Sequence, residues 1–360
     1  MASSGVFVND ATSVEQTSSL LESRIPEKSK LGFRRRYSDL VLVIESGLDS
    51  LETMVRRCAS YAARLLADPS LTDDEFKPYP ISVIWRKDVL QLTEDLLAAR
   101  AQRIEARTGG YADAKAHMLD AYAREFLQPI WRSFEGEADR CFFAKPGEKR
   151  GQSWTSMQQL LNAATSGDRP MRIHFVVHGA AMPWFESLVR RLAEPGSAAE
   201  SSIHGLSSIE IRRRLVASVT LLAPICTPEH LRELLALLWG EWNLPEGQAP
   251  RPLAIYTQPA QRDREENLAG YQGSFLELAR RCFPVDGNRP TFTHPNLIAG
   301  HADGLQVVRE QLSGRNLLEV ISIPDSAETS HAALLSNPEL VRIVFRRIKA
   351  CAMQGRLTSP

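Results

Sequence analysis

The sequence lacks the paired cysteines and the long apolar runs that would assign it to a specialised class of protein. Its five cysteines are dispersed over 360 residues and include no Cys-x-x-Cys pair, which argues against a zinc ribbon and favours free thiols in a reducing compartment. No segment approaches the roughly 18 apolar residues of a membrane span, and the amino-terminal residues do not follow a signal-peptide pattern. A cytoplasmic protein without membrane association is expected.

An excess of charge of one sign is also missing. The 43 basic and 43 acidic residues give a formal net charge of zero, whereas a nonspecific nucleic-acid binder carries a basic excess. The chain has no GxxxxGK[ST], GxGxxG or HExxH motif, so no nucleotide cofactor and no metal is predicted. His301 and Asp303 are near neighbours, but a polar loop at the start of a helix explains them better than a metal site does.

What the chain has instead is an alternation of short apolar strands and amphipathic helices. Six strands are predicted, at residues 40–44, 81–85, 171–177, 216–222, 253–256 and 317–323. Because these runs are apolar throughout, both faces of their sheet should be covered by helices. The pattern predicts an α/β fold with a mostly parallel, doubly wound sheet.

The domain organisation follows from the same pattern. A flexible arm is expected over residues 1–36, and a single α/β domain over residues 37–355. A helical insertion is expected near residues 113–165, in which Pro129 should kink or break the helix because proline lacks the backbone N–H.

One strand–turn–helix unit has the layout of the nucleophile elbow, G-x-S-x-G, of serine hydrolases. Active sites of open α/β sheets lie at the carboxyl ends of the strands. The unit spans residues 171–193, and its turn follows the carboxyl end of the predicted strand. Its central five residues are Val177-His178-Gly179-Ala180-Ala181. Gly179 stands at the nucleophile position and has no side chain with which to form an acyl intermediate.

The order of the strand-end motifs resembles that of a bacterial α/β-hydrolase family. In that family the first strand ends in His-Gly-Gly-Leu, the second in Ile-Trp and the fourth in Leu-Ala-Pro-Ala; the elbow reads Gly-His-Ser-Ala-Gly, and a late loop carries a histidine. The matching segments here are Glu45-Ser46-Gly47-Leu48, Val83-Ile84-Trp85, Leu222-Ala223-Pro224-Ile225, residues 177–181 and Thr329-Ser330-His331-Ala332-Ala333. The resemblance covers roughly residues 38–350 and implies an α/β-hydrolase-like fold, with His331 as the candidate base.

The departures from that family point to lost chemistry. Glu45-Ser46 replaces the His-Gly whose amides would help to form an oxyanion hole, and a carboxylate there would repel a developing oxyanion. Asp263 is the candidate acid after the fifth strand. A ligand pocket, if retained, should be lined by residues at the carboxyl edge of the sheet, namely Glu45, Ser46, Gly47, His178 and Ala180.

Three hypotheses remain open at this point. The first is a pseudoenzyme that binds an unidentified small molecule or protein partner. The second is an active esterase-like or peptidase-like hydrolase, in which His331 is the base and Cys226, Ser46 or an activated water replaces the missing nucleophile; a buried structural thiol is the favoured interpretation of Cys226. The third is an interaction subunit of a larger assembly, suggested by the helical region 113–143 and the arm.

Overall fold

The computed structural model describes residues 14–26, 33–46, 50–71, 76–85, 89–108, 111–143, 152–166, 170–194, 216–240, 251–257, 260–284, 298–312, 317–323 and 331–354. In chain order these residues form α1 (Val14–Glu22), β1 (Arg24–Pro26), β2 (Phe33–Arg35), β3 (Asp39–Ser46), α2 (Leu51–Ala67), β4 (Pro78–Trp85), α3 (Val89–Thr108), α4 (Ala112–Tyr122), α5 (Gln128–Phe142), α6 (Gln152–Thr165), β5 (Arg172–His178), α7 (Met182–Ala193), β6 (Val216–Leu222), α8 (Pro228–Trp239), β7 (Leu253–Thr257), α9 (Ala260–Glu265), β8 (Asn267–Leu268), β9 (Tyr271–Gln272), α10 (Phe275–Cys282), α11 (Ala302–Gln311), β10 (Leu318–Ser322) and α12 (Pro338–Gln354). Turns of 3-10 helix occupy Gly179–Ala181 and His331–Ser336, and a π-helical turn occupies Ala123–Leu127. Within these ranges no helix combines the length and the apolar character that a membrane crossing requires.

The six predicted apolar runs form one parallel sheet. Its strands lie in the order β4-β3-β5-β6-β7-β10, and every neighbouring pair is parallel. The predicted α/β fold with a mostly parallel sheet is therefore confirmed. The chain adds β4 on one side of β3 and the later strands of this sheet, β5, β6, β7 and β10, on the other side, so the direction of winding reverses between β3 and β5. In open sheets this switch point leaves a crevice at the carboxyl ends of the strands.

Both faces of the central strands are buried, as the continuous apolar runs indicated. Leu42 and Val43 of β3 point to opposite faces, and their exposed fractions are 0% and 1%. The helices that cover the sheet also pack against one another: α7 packs against α5 and α8, and α2 packs against α12. The sheet can therefore present functional side chains only at its strand ends.

The helical insertion packs on the carboxyl end of β4 through aromatic side chains. Trp85, the last residue of β4, stacks on Phe134 of α5 with ring centroids 3.9 Å apart. Trp131 of α5 stacks in turn on Phe283, with centroids 5.2 Å apart. Such pairs stabilise beyond their buried area, so the Ile-Trp motif of the sequence anchors the insertion to the sheet.

Pro129 lies two residues after an irregular stretch of helix. A π-helical turn occupies Ala123–Leu127, and Pro129 is the second residue of α5. Proline cannot donate to the carbonyl four residues earlier and its ring crowds that carbonyl. The wider π turn removes this conflict at Glu125, so the chain changes its hydrogen-bonding pattern instead of ending the helix.

Part of the predicted amino-terminal arm is docked against the domain. Thr17 and Leu21, four residues apart on α1, are 3% and 0% exposed, and α1 packs against α6. Residues 24–26 and 33–35 pair as a two-stranded antiparallel ribbon. The expectation of a flexible arm therefore does not describe these residues, because the short apolar stripe of α1 is buried against another helix.

Two glycines should respond oppositely to alanine. A Cβ on Gly304 of α11 would overlap the backbone of Ile298, whereas a Cβ on Gly136 of α5 would meet nothing within 4 Å. Gly304→Ala should lower the free energy of unfolding by about 1–3 kcal/mol. Gly136→Ala should raise it by about 0.5–1 kcal/mol, because glycine is a poor helix former. Urea unfolding followed by circular dichroism measures both; two changes of the same sign would contradict this packing.

Candidate functional site

The turn after β5 has the backbone geometry predicted from the sequence. β5 ends at His178, the turn covers Gly179–Ala181, and α7 begins at Met182. Gly179 has φ +34°, a left-handed conformation that glycine adopts readily and other residues adopt at a cost. The predicted strand–turn–helix unit is thus present, and its strained position carries no side chain.

Neighbouring loops close over this turn. The amide of Ile225 donates to the carbonyl of Gly179 over 3.3 Å, and the amide of Gly300 donates to the carbonyl of Pro224 over 3.0 Å. A Cβ on Gly300 would lie 2.7 Å from the backbone of Ala223 and Pro224, so only glycine permits this approach. Ala223 has φ +44°, which is uncommon for alanine. The ends of β5 and β6 are therefore covered by the segment before α11.

Cys226 lies under the same cover. It is 1% exposed and forms no disulfide with a described residue, and its carbonyl accepts a hydrogen bond from the amide of Ala299 over 2.8 Å. A substrate has no access to a thiol buried to this degree. This placement favours the structural interpretation of Cys226 over its use as a displaced nucleophile.

A buried carboxylate lies at the strand end beside the turn. Glu45 and His178, at the ends of neighbouring strands β3 and β5, are both 0% exposed, and His178 Nδ1 lies 3.4 Å from Glu45 Oε2. Arg57 of α2 contacts the same oxygen over 3.4 Å. The second oxygen, Oε1, has no hydrogen-bond partner among the described residues. The strand end beside the turn therefore carries carboxyl oxygens, which accept hydrogen bonds, whereas an oxyanion hole needs donors.

The other predicted pocket residues are only partly described. Ala180 is 0% exposed, so it, Glu45 and His178 belong to the packed interior of the described structure. Gly47 lies outside the described residues. Ser46 ends β3, and His331 begins the 3-10 turn that leads to α12, but the placement of their side chains is not described. Their predicted roles therefore stay predictions.

Asp263, the candidate acid, lies after β7 and is 1% exposed. Burial raises the pKa of Asp263 to about 6, against an opposing hydrogen bond from Ser274 and the nearby charge of His301. Its Oδ1 has no hydrogen-bond partner among the described residues. The described imidazole that acts on Asp263 is therefore that of His301, which the sequence had indicated only as part of a helix start.

His301 does precede a helix, but it also joins a buried charge cluster. It is the residue before α11, is 2% exposed, and its Nε2 lies 3.4 Å from Oε2 of Glu277. Glu277 accepts from Arg280 over 2.7 Å and 2.8 Å. Burial opposes ionisation of Glu277, but its interactions with His301 and Arg280 outweigh burial and hold its pKa well below the ordinary range. Among the described residues, no three histidine, cysteine or acidic side chains are arranged to hold a metal.

A serine, a histidine and an aspartate meet elsewhere in the fold. His174 Nδ1 lies 2.8 Å from Ser218 Oγ, and His174 Nε2 lies 3.1 Å from Asp39 Oδ1. Arg172 contacts both oxygens of Asp39, over 2.6 Å and 2.7 Å. No pattern in the sequence indicated this group, since its members are dispersed over three strands.

That group has the connectivity of a catalytic triad but not its location. Asp39, His174 and Ser218 are each 0% exposed and lie towards the amino ends of β3, β5 and β6, opposite the edge at which open sheets bind substrates. Burial raises the pKa of Asp39, but its hydrogen bonds with His174 and Arg172 outweigh burial and lower that pKa overall. Burial lowers the pKa of His174. We interpret the group as a structural network.

Replacing Asp263 should change how stability depends on pH. Its native pKa is raised from 3.8 to about 6, so its contribution to stability is fully present below pH 3.8 and is lost as pH rises through 6. Asp263→Asn should therefore gain stability relative to the parent between pH 4 and pH 7.5, by at most roughly 3 kcal/mol. Urea unfolding at both pH values measures the gain.

The matched control for this prediction is Asp303→Asn. Asp303 lies 3.8 Å from the other ring nitrogen of His301, but its side chain is 65% exposed. We expect it to change stability by less than about 0.5 kcal/mol at either pH. A difference between Asp263→Asn and the parent that is independent of pH would show that Asp263 is not held as a buried, protonated acid.

Relatives do not add to this geometry. Comparisons with protein-family models, with curated proteins and with solved structures found no match to this chain. The interpretation of the carboxyl edge therefore depends on three observations: the positive φ of Gly179, the buried Glu45 beside it and the cluster around Asp263 and His301.

Proposed function

We propose that this chain is a catalytically degenerate α/β-hydrolase-like protein that retains the fold for binding. The observation that carries the proposal is Gly179, which occupies a left-handed position in the turn between β5 and α7. Serine hydrolases of this type place the nucleophile in such a strained strand-to-helix turn. A glycine there preserves the backbone turn and removes the nucleophile.

The order of elements supports a hydrolase-like frame. The elbow turn follows β5 at the switch point of the sheet, Asp263 follows β7, and His331 follows β10. This is the chain order of nucleophile, acid and histidine in α/β-hydrolases.

Electrostatics at the turn disfavour acyl transfer. Acyl transfer needs hydrogen-bond donors that face a developing oxyanion. Here Glu45, buried and within 3.4 Å of His178, supplies an acceptor at the strand end next to Gly179. The carboxyl group of Glu45 is compatible with ligand binding at this edge. It is not compatible with the stabilisation of an oxyanion.

An active hydrolase with rearranged residues is the second candidate, because one observation favours it. Asp263 has a pKa of about 6 next to the charge of His301, and perturbed acids of this kind occur at catalytic sites. Such an enzyme would activate a water, or a displaced nucleophile such as Ser46, with His331 as the base. Hydrolytic assays of the parent protein separate the two candidates.

The proposal predicts that a serine at the elbow will not restore activity. Gly179→Ser should show no labelling by a fluorophosphonate probe and no hydrolysis of p-nitrophenyl acetate above the parent. Gly179→Ala is the matched control, since both variants carry a Cβ at positive φ and should lose about 1–2 kcal/mol of stability. Labelling of the serine variant alone would show a working oxyanion site.

The parent protein provides the second readout. It should remain unlabelled under conditions that label a control serine hydrolase, and it should not hydrolyse short acyl esters. Ester hydrolysis by the parent that is abolished by His331→Ala or by Asp263→Asn would overturn the pseudoenzyme proposal and establish the second candidate. Mass-spectrometric mapping of any labelled residue would identify its nucleophile.

A further inference from the structure

A cavity of about 230 Å³ lies between α2 and the segment that leads into α12. Three arginines of α2, Arg56, Arg57 and Arg64, contribute to its lining. Leu335 and Ser336 of the 3-10 turn and Val341 of α12 contribute the opposite wall. Among the described residues that line it, none is acidic.

The helical spacing of α2 explains why its cations meet in one place. Residues four apart lie above one another on one helix face, and α2 presents two such rows to the cavity. Arg57 and Tyr61 form the inner row, with exposed fractions of 6% and 1%. Arg56, Ser60 and Arg64 form the outer row and are exposed. The cavity therefore has a basic mouth and a floor that combines a guanidinium with an aromatic ring.

The positive charge of the cavity is only partly neutralised. Arg57 contacts the buried Glu45 over 3.4 Å, and Arg56 contacts Glu52 over 2.7 Å, a pair whose side chains are 77% and 81% exposed. An exposed pair of this kind is weak and opens easily to solvent or to another anion. Arg64 forms no ion pair with a described acidic side chain. The amino-terminal end of α12, at Pro338, adds its positive dipole to the same space.

We propose that this cavity binds a small organic phosphate. Guanidinium groups match the geometry of phosphate oxygens and hold them through paired, charge-assisted hydrogen bonds. The hydroxyls of Ser60 and Ser336 can donate to the same anion. Tyr61, Leu335 and Val341 offer apolar contact to the organic part of the ligand.

At about 230 Å³ the cavity is smaller than the roughly 300–1,000 Å³ pockets that hold drug-sized ligands, so it suits a small ligand. The residues that line the cavity do not include those of the turn at Gly179, so the test does not depend on whether that turn is catalytic. Arg57 nevertheless connects the two regions through Glu45, which also contacts His178. An anion that binds Arg57 would compete with Glu45 for the same guanidinium.

Isothermal titration calorimetry with two probes, phenyl phosphate and inorganic phosphate, tests the proposal at pH 7.5. Phenyl phosphate should bind more tightly than inorganic phosphate, because it also contacts the apolar wall. Arg64→Gln and Arg56→Gln should each lower the affinity for phenyl phosphate by about tenfold or more, because each removes one charge-assisted hydrogen bond. Raising the salt concentration from 50 mM to 500 mM should weaken binding further, since salt screens exposed charges.

Arg103→Gln is the matched control. Arg103 is an exposed arginine on α3 and does not line the cavity, so its replacement should leave the affinity unchanged. Thermal melts confirm that each variant is folded, which is expected because the altered side chains are exposed. The proposal is overturned if neither probe binds at millimolar concentration, if inorganic phosphate binds as tightly as phenyl phosphate, or if the cavity variants and the control lose affinity equally.

Discussion

The ion pair between Asp39 and Arg172 fixes the relation of the two strands on which the rest of this structure depends. The two residues are the first of β3 and β5 and are register partners, and the guanidinium contacts both carboxylate oxygens over 2.6 Å and 2.7 Å. A shift of one residue in register would turn every side chain of a strand to the other face. Holding β3 and β5 in register at their amino ends therefore places Glu45 beside His178 at their carboxyl ends.

The same pair also positions the helix that closes the cavity. Arg172 donates to the carbonyl of Ala352 near the end of α12, and the beginning of that helix lines the basic cavity against α2. His174 and Ser218 extend the network across β5 to β6. Each of these buried polar groups is satisfied by another, which is the condition under which such a network adds specificity to a core. A serine–histidine–aspartate geometry is here a means of holding strands together.

The carboxyl edge combines a hydrolase-like layout with charges that do not suit acyl transfer. The backbone keeps a left-handed residue at Gly179 and a glycine at position 300 that allows the close approach to Pro224. The side chains around it are a buried carboxylate, Glu45, and a cluster in which Glu277 pairs with His301 and two arginines. The chain carries no net charge, yet its charges are sorted locally into a basic cavity and buried acid clusters. Binding sites arise from such local sorting and not from net charge.

The sequence by itself determined the elements and their layers. Runs such as Leu40–Ile44 and Val216–Leu222 have no polar face, so they could only become strands covered on both sides. Two helices begin at a proline, Pro228 and Pro338, because proline suits the first helical position. Gly179 was recognisable because a glycine between an apolar strand and an amphipathic helix has a local signature. The packing of α1 was not predicted, because the buried face of this helix includes only a few residues, such as Thr17 and Leu21, and so short a pattern is not recognisable in a polar segment.

Only the tertiary structure decided which distant side chains meet. Asp39 and His174 are 135 residues apart in the chain, and their contact follows from β3 and β5 being neighbours, which no local pattern encodes. Asp263 lies near the imidazole of His301, because the segment before α11 brings that residue over the strand ends. The basic cavity likewise needs α2 and α12 side by side. Periodicity is a property of neighbours along the chain, whereas charge clusters and cavities depend on packing across it.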